Sequence, residues 1–296
     1  MRWPAAACVL VIIAAALAGG CGGGSDEETL ESLWRGPGAD LAVTPGTSDY
    51  AVGTNRVSFL VVDNESRLVD RPTARVWVAH GLKEPPFAET TARLEPVGVP
   101  GGDDAGVGGI YVARIETPTP GTYWVLAEPV GGRKVQALGN VVVRKRSKAP
   151  AVGERAIASR TPTIASTNGN LSALTTSRHP DRALYQVSIA QALAAHEPFV
   201  VTFATPQFCQ SRTCGPTVDV VSAVRGQTAS TGVRFIHVEV YAGNDPANGV
   251  NRWMREWRLP TEPFTFVVDR RGIIRAKLEG AFSVAELVRA VRAVAA

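Results

Sequence analysis

Pro198-Phe199-Val200-Val201-Thr202-Phe203-Ala204, followed after four residues by Cys209-Gln210-Ser211-Arg212-Thr213-Cys214-Gly215-Pro216, decides the architecture of the C-terminal half. Residues 198–204 form a near-continuous apolar run, the pattern of a strand covered on both faces. Pro216 marks a helix start, because proline is favoured at the first helical position. A helix over Pro216–Arg225 turns Val218, Val221 and Val224 towards a core. Two cysteines five positions apart stand between strand and helix. On a continuous helix such positions point ~140° apart. Pro206–Thr213 therefore reads as a loop, with Cys214 or Gly215 as the cap, so that the two sulfurs meet across it. That places Cys214 where the helix macrodipole and free N–H groups stabilise a thiolate, with Arg212 adding positive charge.

Outward from this stretch, Tyr185–Val187 precedes Ser188-Ile189-Ala190-Gln191, a capping box opening a helix to about His196. Val233–Tyr241 reads as a strand with Ile236, Val238 and Val240 on one face. Trp253 and Trp257, at i and i+4, share a helix face and read as core. Phe264–Val268 and Ile273–Leu278 are joined by Asp269-Arg270-Arg271-Gly272, a hairpin turn. Ser283-Val284-Ala285-Glu286 is a second capping box, leading a helix through Leu287, Val291 and Val294. The order β-α-β-α-β-β-α requires a mixed sheet covered by helices, an α/β class.

With the cysteine pair before a helix and Pro263 immediately before the strand Phe264–Val268, residues 150–296 resemble the thioredoxin fold. The run Arg258–Asp269 is similar to that of membrane-anchored thioredoxin-like reductases. The resemblance implies a thioredoxin-like domain over 181–296, a cis Pro263 facing the cysteines, and Cys209 and Cys214 as catalytic residues. The spacing departs from the family, whose motif is Cys-x-x-Cys, whereas this chain has Cys-x4-Cys. The resemblance makes Cys209 the attacking thiol; the helix-cap argument makes it Cys214.

Residues 41–144 read differently. Arg56–Val62, Ala74–His80, Ile110–Glu116, Thr122–Glu128 and Gln136–Val143 are short β-type runs. In Ile110–Glu116, Tyr111, Ala113 and Ile115 alternate against Ile110, Val112 and Arg114. Turn residues at Pro118–Gly121 and Gly131-Gly132 separate the runs, which predicts an antiparallel β-sandwich. The Pro118–Tyr123 lead into a strand resembles the penultimate strands of bacterial immunoglobulin-like domains. His80 reads as structural, and Gly98–Gly109 as a long loop that is flexible or contacts a partner. Residues 145–180, opening on the basic run Arg144–Lys148, read as a solvated linker leading into the second domain; attraction of that run to anionic lipid is the sharper alternative.

At the N-terminus, Arg2 precedes an apolar run closed by Ala18, Gly19 and Gly20, a signal-peptide layout over residues 1–20 that is too short to span a membrane. Leu17-Ala18-Gly19-Gly20-Cys21 resembles the lipobox of bacterial lipoproteins, with Ala18 where leucine is usual. The resemblance implies lipidation at Cys21, with 21–40 as a flexible tether and an exported, outward-facing, membrane-anchored protein. Export leaves Cys209 and Cys214 as one pair in an oxidising compartment.

Composition excludes other classes. The 296 residues carry 31 Lys+Arg and 27 Asp+Glu, a net +4 too dilute for a nucleic-acid partner. Thiol–disulfide exchange with other exported proteins is the function expected, and it requires no metal or nucleotide. Three alternatives stand beside it. A peroxidase would use the same Cys-x4-Cys spacing, with Thr205-Pro206 and Arg255 or Arg258. Copper delivery would need a histidine, of which only His237 follows the pair, inside a strand. A structural staple would need only the disulfide. Glu262, directly before Pro263, is unusual beside an apolar substrate loop and is read as tuning which partner docks.

Overall fold

The computed structural model describes residues 28–132 and 134–295. The signal peptide, Cys21 and most of the tether lie outside these. Within the span read as tether, Thr29 accepts the Ser32 N–H and caps a one-turn helix, α1 (Leu30–Trp34). Eight strands follow: β1 (Ala39–Pro45), β2 (Tyr50–Ala51), β3 (Gly53–Val62), β4 (Thr73–Ala79), β5 (Ala88–Pro96), β6 (Gly109–Thr117), β7 (Gly121–Pro129) and β8 (Val135–Arg144).

These strands form one sheet in the order β1-β3-β6-β5-β4-β7-β8-β2, and β1 also pairs with β8, which closes it like a barrel. The expected antiparallel sandwich is thus corrected. A single sheet closes on itself, and β1–β8 and β2–β8 are parallel. Closure satisfies backbone groups that a sandwich leaves on its edge strands. The alternation read in 110–116 holds: Tyr111, Ala113 and Ile115 join Phe59, Val76 and Tyr123 in the barrel core. Phe59 and Tyr111 are register partners and stack at 5.5 Å. On the outer face, Leu30 of α1 packs on Trp77 and Leu126.

The second unit comprises α2 (Ile189–Ala194), β9 (Phe199–Phe203), α3 (Cys214–Gln227), β10 (Arg234–Val238), α4 (Arg252–Glu256), β11 (Phe264–Val268), β12 (Ile274–Glu279) and α5 (Val284–Ala295). Its sheet order is β10-β9-β11-β12. β10 runs parallel to β9, and β11 antiparallel to β9 and β12. Every residue of β9 and β11 is buried, as the apolar runs demand. Val220, Val221, Leu287 and Val291 of α3 and α5 cover one face. Ile189, Ala192, Met254 and Trp257 of α2 and α4 cover the other. Tyr185–Val187 is the end of a 3₁₀ turn and the lead into α2.

The linker read over 145–180 is docked rather than solvated throughout. Ala149 is buried among Phe199, Ile236 and Phe266, and Ser159, Thr161 and Thr163 are also buried. Trp257 Nε1 donates to Ser159 Oγ at 3.1 Å.

The two units meet through buried polar groups. Arg56 of β3 donates to both Glu286 carboxyl oxygens at 2.7 and 2.9 Å, and to the Ala281 and Glu279 carbonyls at 2.8 and 3.1 Å. Lys277 pairs with Asp49 at 3.2 Å. The second expected capping box is therefore half made. Ser283 Oγ accepts the Glu286 N–H, but the Glu286 carboxylate serves Arg56.

Candidate functional site

Cys209 and Cys214 are disulfide-bonded, with Cα atoms 5.9 Å apart. Residues 204–213 between β9 and α3 are irregular, so the sulfurs meet across a loop. Arg212 adopts a left-handed φ of 58°, which folds the loop back and brings its N–H to the Cys209 carbonyl at 3.3 Å. Helix α3 begins two residues before the expected Pro216: Thr213 is the N-cap and Cys214 the first helical residue. Pro216 falls third, where its missing N–H removes no intrahelical bond.

The two sulfurs sit in different surroundings. Cys214 is fully buried, at the amino end of α3, packed with Val218 and Val221. Cys209 is half-buried, and its Sγ lies 3.2 Å from Ser211 Oγ. Cys209 is the more accessible of the two sulfurs, and the amino end of α3, whose free N–H groups favour negative charge, lies at Cys214.

Pro263 follows a cis peptide bond from Glu262. Glu262 Oε2 lies 3.7 Å from Cys214 Sγ and accepts the Thr205 N–H at 3.1 Å. Burial pushes its carboxyl up to about 7 against the Thr205 hydrogen bond, and the charge of Glu239 adds to the rise. Glu262 is thus a carboxyl poised near neutrality beside the buried sulfur.

Glu239, not singled out in the sequence, is buried and accepts the N–H and hydroxyl of Thr176 at 2.5 and 2.8 Å. Thr176 Oγ1 in turn accepts the Gln207 N–H at 3.1 Å, which ties the cysteine loop to the connector. His237, in β10, is held by Tyr185 at 2.7 Å and by the Ala204 carbonyl at 3.0 Å. The carbonyl requires Nε2–H, leaving Nδ1 to accept from the tyrosine. Burial holds the ring below its ordinary value, hence neutral.

The other residues weighed from sequence lie elsewhere. Trp257 is fully buried against Phe203 and Phe266. Arg255 and Arg258 are exposed around α4, and neither borders the two cavities that flank the cysteine loop. His80 is exposed beyond β4, stacks on Phe87 and lies tilted against Tyr123. Among the described residues, no group of three or more His, Cys, Asp and Glu is placed to hold a metal ion.

The barrel also contributes to this region. The glycine-rich loop between β5 and β6 lies against α3, where Asp103 N–H donates to Asp219 Oδ2 at 2.7 Å. A methyl group on Gly215 would overlap the Asp103 carboxyl, so a larger residue at 215 requires the Asp103 side chain to shift. From sequence this loop reads as flexible or partner-binding. Nothing in residues 98–109 alone points to a helix a hundred residues away.

No family model matches this chain, and no curated protein matches it. Among solved structures, the chain is similar to a thiol:disulfide interchange protein of the thioredoxin family from Chlorobium tepidum TLS. The two share 18% identity over 34% of this chain and 81% of that chain, with a TM-score of 0.25.

Proposed function

We propose that residues 181–295 are a thioredoxin-like unit and that the protein performs thiol–disulfide exchange at Cys209–Cys214. One observation supports this most: a half-buried sulfur is bonded to a fully buried one at a helix N-terminus, with the near-neutral Glu262 beside the buried partner. A structural staple has no use for that asymmetry.

In this reading a substrate thiolate attacks Cys209 Sγ. The Sγ–Sγ bond breaks and its electron pair passes to Cys214 Sγ, which takes a proton from Glu262. A second substrate thiolate then attacks the substrate sulfur of the mixed disulfide and expels the Cys209 thiolate. The substrate pair is oxidised and the protein pair reduced; run backwards, Glu262 accepts the Cys214 proton and Cys214 resolves the mixed disulfide. Export and lipid attachment at Cys21 belong to the same proposal, since an oxidising compartment suits a cycling pair; membrane fractionation of Cys21→Ser tests that part, and retention in the membrane rejects it.

The test of exchange is equilibration with glutathione buffers and acid trapping of intermediates. A couple above about −300 mV, with Cys214→Ser accumulating a mixed disulfide on Cys209, is the expected result. A far lower potential with no trapped species leaves only the staple.

A further inference from the structure

Cys209 borders a cavity of about 420 Å³ whose lining carries both signs of charge. Asp103 and Asp104 reach it from the barrel loop, Arg178 from the connector and Arg212 from the cysteine loop. Among the described residues neither arginine forms an ion pair, and both line the cavity.

The barrel loop is seated in place. Asp103 is fastened to Asp219, and Val99 packs into the same apolar cluster as Cys209 and Val218. Further along, Ala105 and Val107 line a second cavity of about 550 Å³ together with Ser211, Thr213 and Glu262. One loop therefore borders both openings that flank the cysteine loop. The Arg56–Glu286 and Asp49–Lys277 pairs between the units hold it there. The cavity beside Cys209 falls within the ~300–1,000 Å³ usual for a small-molecule site.

Resting on the exchange reading above, we propose that the substrate at Cys209 is a small zwitterionic amino-acid thiol, or its disulfide. Its ammonium is held by Asp103 and Asp104, and its carboxylate by Arg178 and Arg212. Two such thiols reduce the Cys209–Cys214 bond and leave as one symmetric disulfide, two electrons passing to the protein pair; the reverse reduces that disulfide.

The test measures opening of the disulfide in the full-length protein by L-cysteine, cysteamine, 3-mercaptopropionate and 2-mercaptoethanol, each rate divided by the same thiol's rate with a neutral model disulfide, which removes differences in thiolate fraction and nucleophilicity. Cysteine is expected to exceed 2-mercaptoethanol by about threefold to tenfold, the scale of two partly exposed charge pairs. Asp104→Asn lowers the advantage of the two ammonium-bearing thiols, and Arg178→Ala that of the two carboxylate-bearing ones. Because each loss is confined to one charge class, each variant is the folding control for the other. Equal corrected rates for the four thiols, a uniform loss in both variants, or faster reaction with insulin than with cystine overturns the substrate class and leaves exchange standing. If no thiol opens the bond at all, the exchange reading itself fails.

Discussion

Replacing Glu262 by glutamine keeps the shape of the side chain and removes its charge. When the disulfide opens at Cys209, negative charge develops on Cys214 Sγ, 3.7 Å from Glu262 Oε2. Two like unit charges ~4 Å apart repel by about 4 kcal/mol at an effective dielectric of 20 and by about 1 kcal/mol in water. Glu262 is only partly buried, so ~1–2 kcal/mol is the fitting range, a factor of about 5 to 30 in rate. The sign follows from its carboxyl titrating near 7. Below that pH Glu262 is neutral and gives a proton to the leaving sulfur; above it, the carboxylate repels the sulfur. A group titrating near 7 is about nine-tenths protonated at pH 6 and about one-tenth at pH 8, so the rate constant for opening by dithiothreitol, corrected for thiolate, should fall by about 3- to 8-fold between those pH values in the native protein. In Glu262→Gln it should be flat. Stopped-flow tryptophan fluorescence or rapid alkylation follows the reaction. An equal fall in Glu262→Gln, or a flat native profile, refutes a proton role for this carboxyl.

The same group has a stability signature. Its folded value lies above the ordinary 4.5, so the unfolded chain releases that proton first, and stability is lost as pH rises through about 7. Solvent screening reduces the full ~3 kcal/mol to about 1–2 kcal/mol, by which Glu262→Gln should gain on the native protein between pH 4.5 and 8 in denaturant titrations; parallel curves would contradict it. Arg56→Ala leaves Glu286, whose side chain is only 10% exposed, without its partner and should cost about 3–5 kcal/mol in urea unfolding. A loss under ~1 kcal/mol would mean the units do not depend on this pair. Gly215→Ala should destabilise by about 1–3 kcal/mol through overlap with Asp103. In an Asp103→Ala background the same change should be neutral or favourable, because alanine exceeds glycine in a helix by ~1 kcal/mol. Additive effects in that cycle would place the loop away from the helix.

Much of the fold was legible because periodicity is a local property. The alternation of Tyr111, Ala113 and Ile115 and the unbroken apolar run of Phe199–Phe203 each report how many faces of a strand are covered. The capping box at Ser188 is complete in the structure, since its partners are three residues apart. The missed strands show the limit of that signal. β5, Ala-Glu-Thr-Thr-Ala-Arg-Leu-Glu-Pro, buries only Ala92 fully and is a strand because β4 and β6 lie on either side of it. β1 follows Gly36-Pro37-Gly38; its first two residues fell in the span read as tether and the rest in no β-type run, and its strand character comes from β3 and β8. In the site, the cysteines, Pro263 and Glu262 were visible as unusual residues at telling positions. Glu239, Thr176, Asp103 and Arg178 were not, because each is an ordinary polar residue in its own neighbourhood.

By itself the sequence determined a β-rich half followed by an α/β half, and a cysteine pair between an apolar strand and a helix. Those follow from the side-chain pattern within one element and from the chemistry of the turn that ends it. Only the tertiary structure decided that the β-rich sheet closes on itself, that Cys214 is buried while Cys209 is reachable, and that a barrel loop borders the pair. Closure rests on pairing Ala39 with Val135, and the loop on Asp103 meeting Asp219. The elevated Glu262 carboxyl rests on desolvation and on Glu239, 23 positions away in the chain (262 − 239). Burial and electrostatic fields are set by what surrounds a group in space, and here those neighbours come from distant parts of the chain.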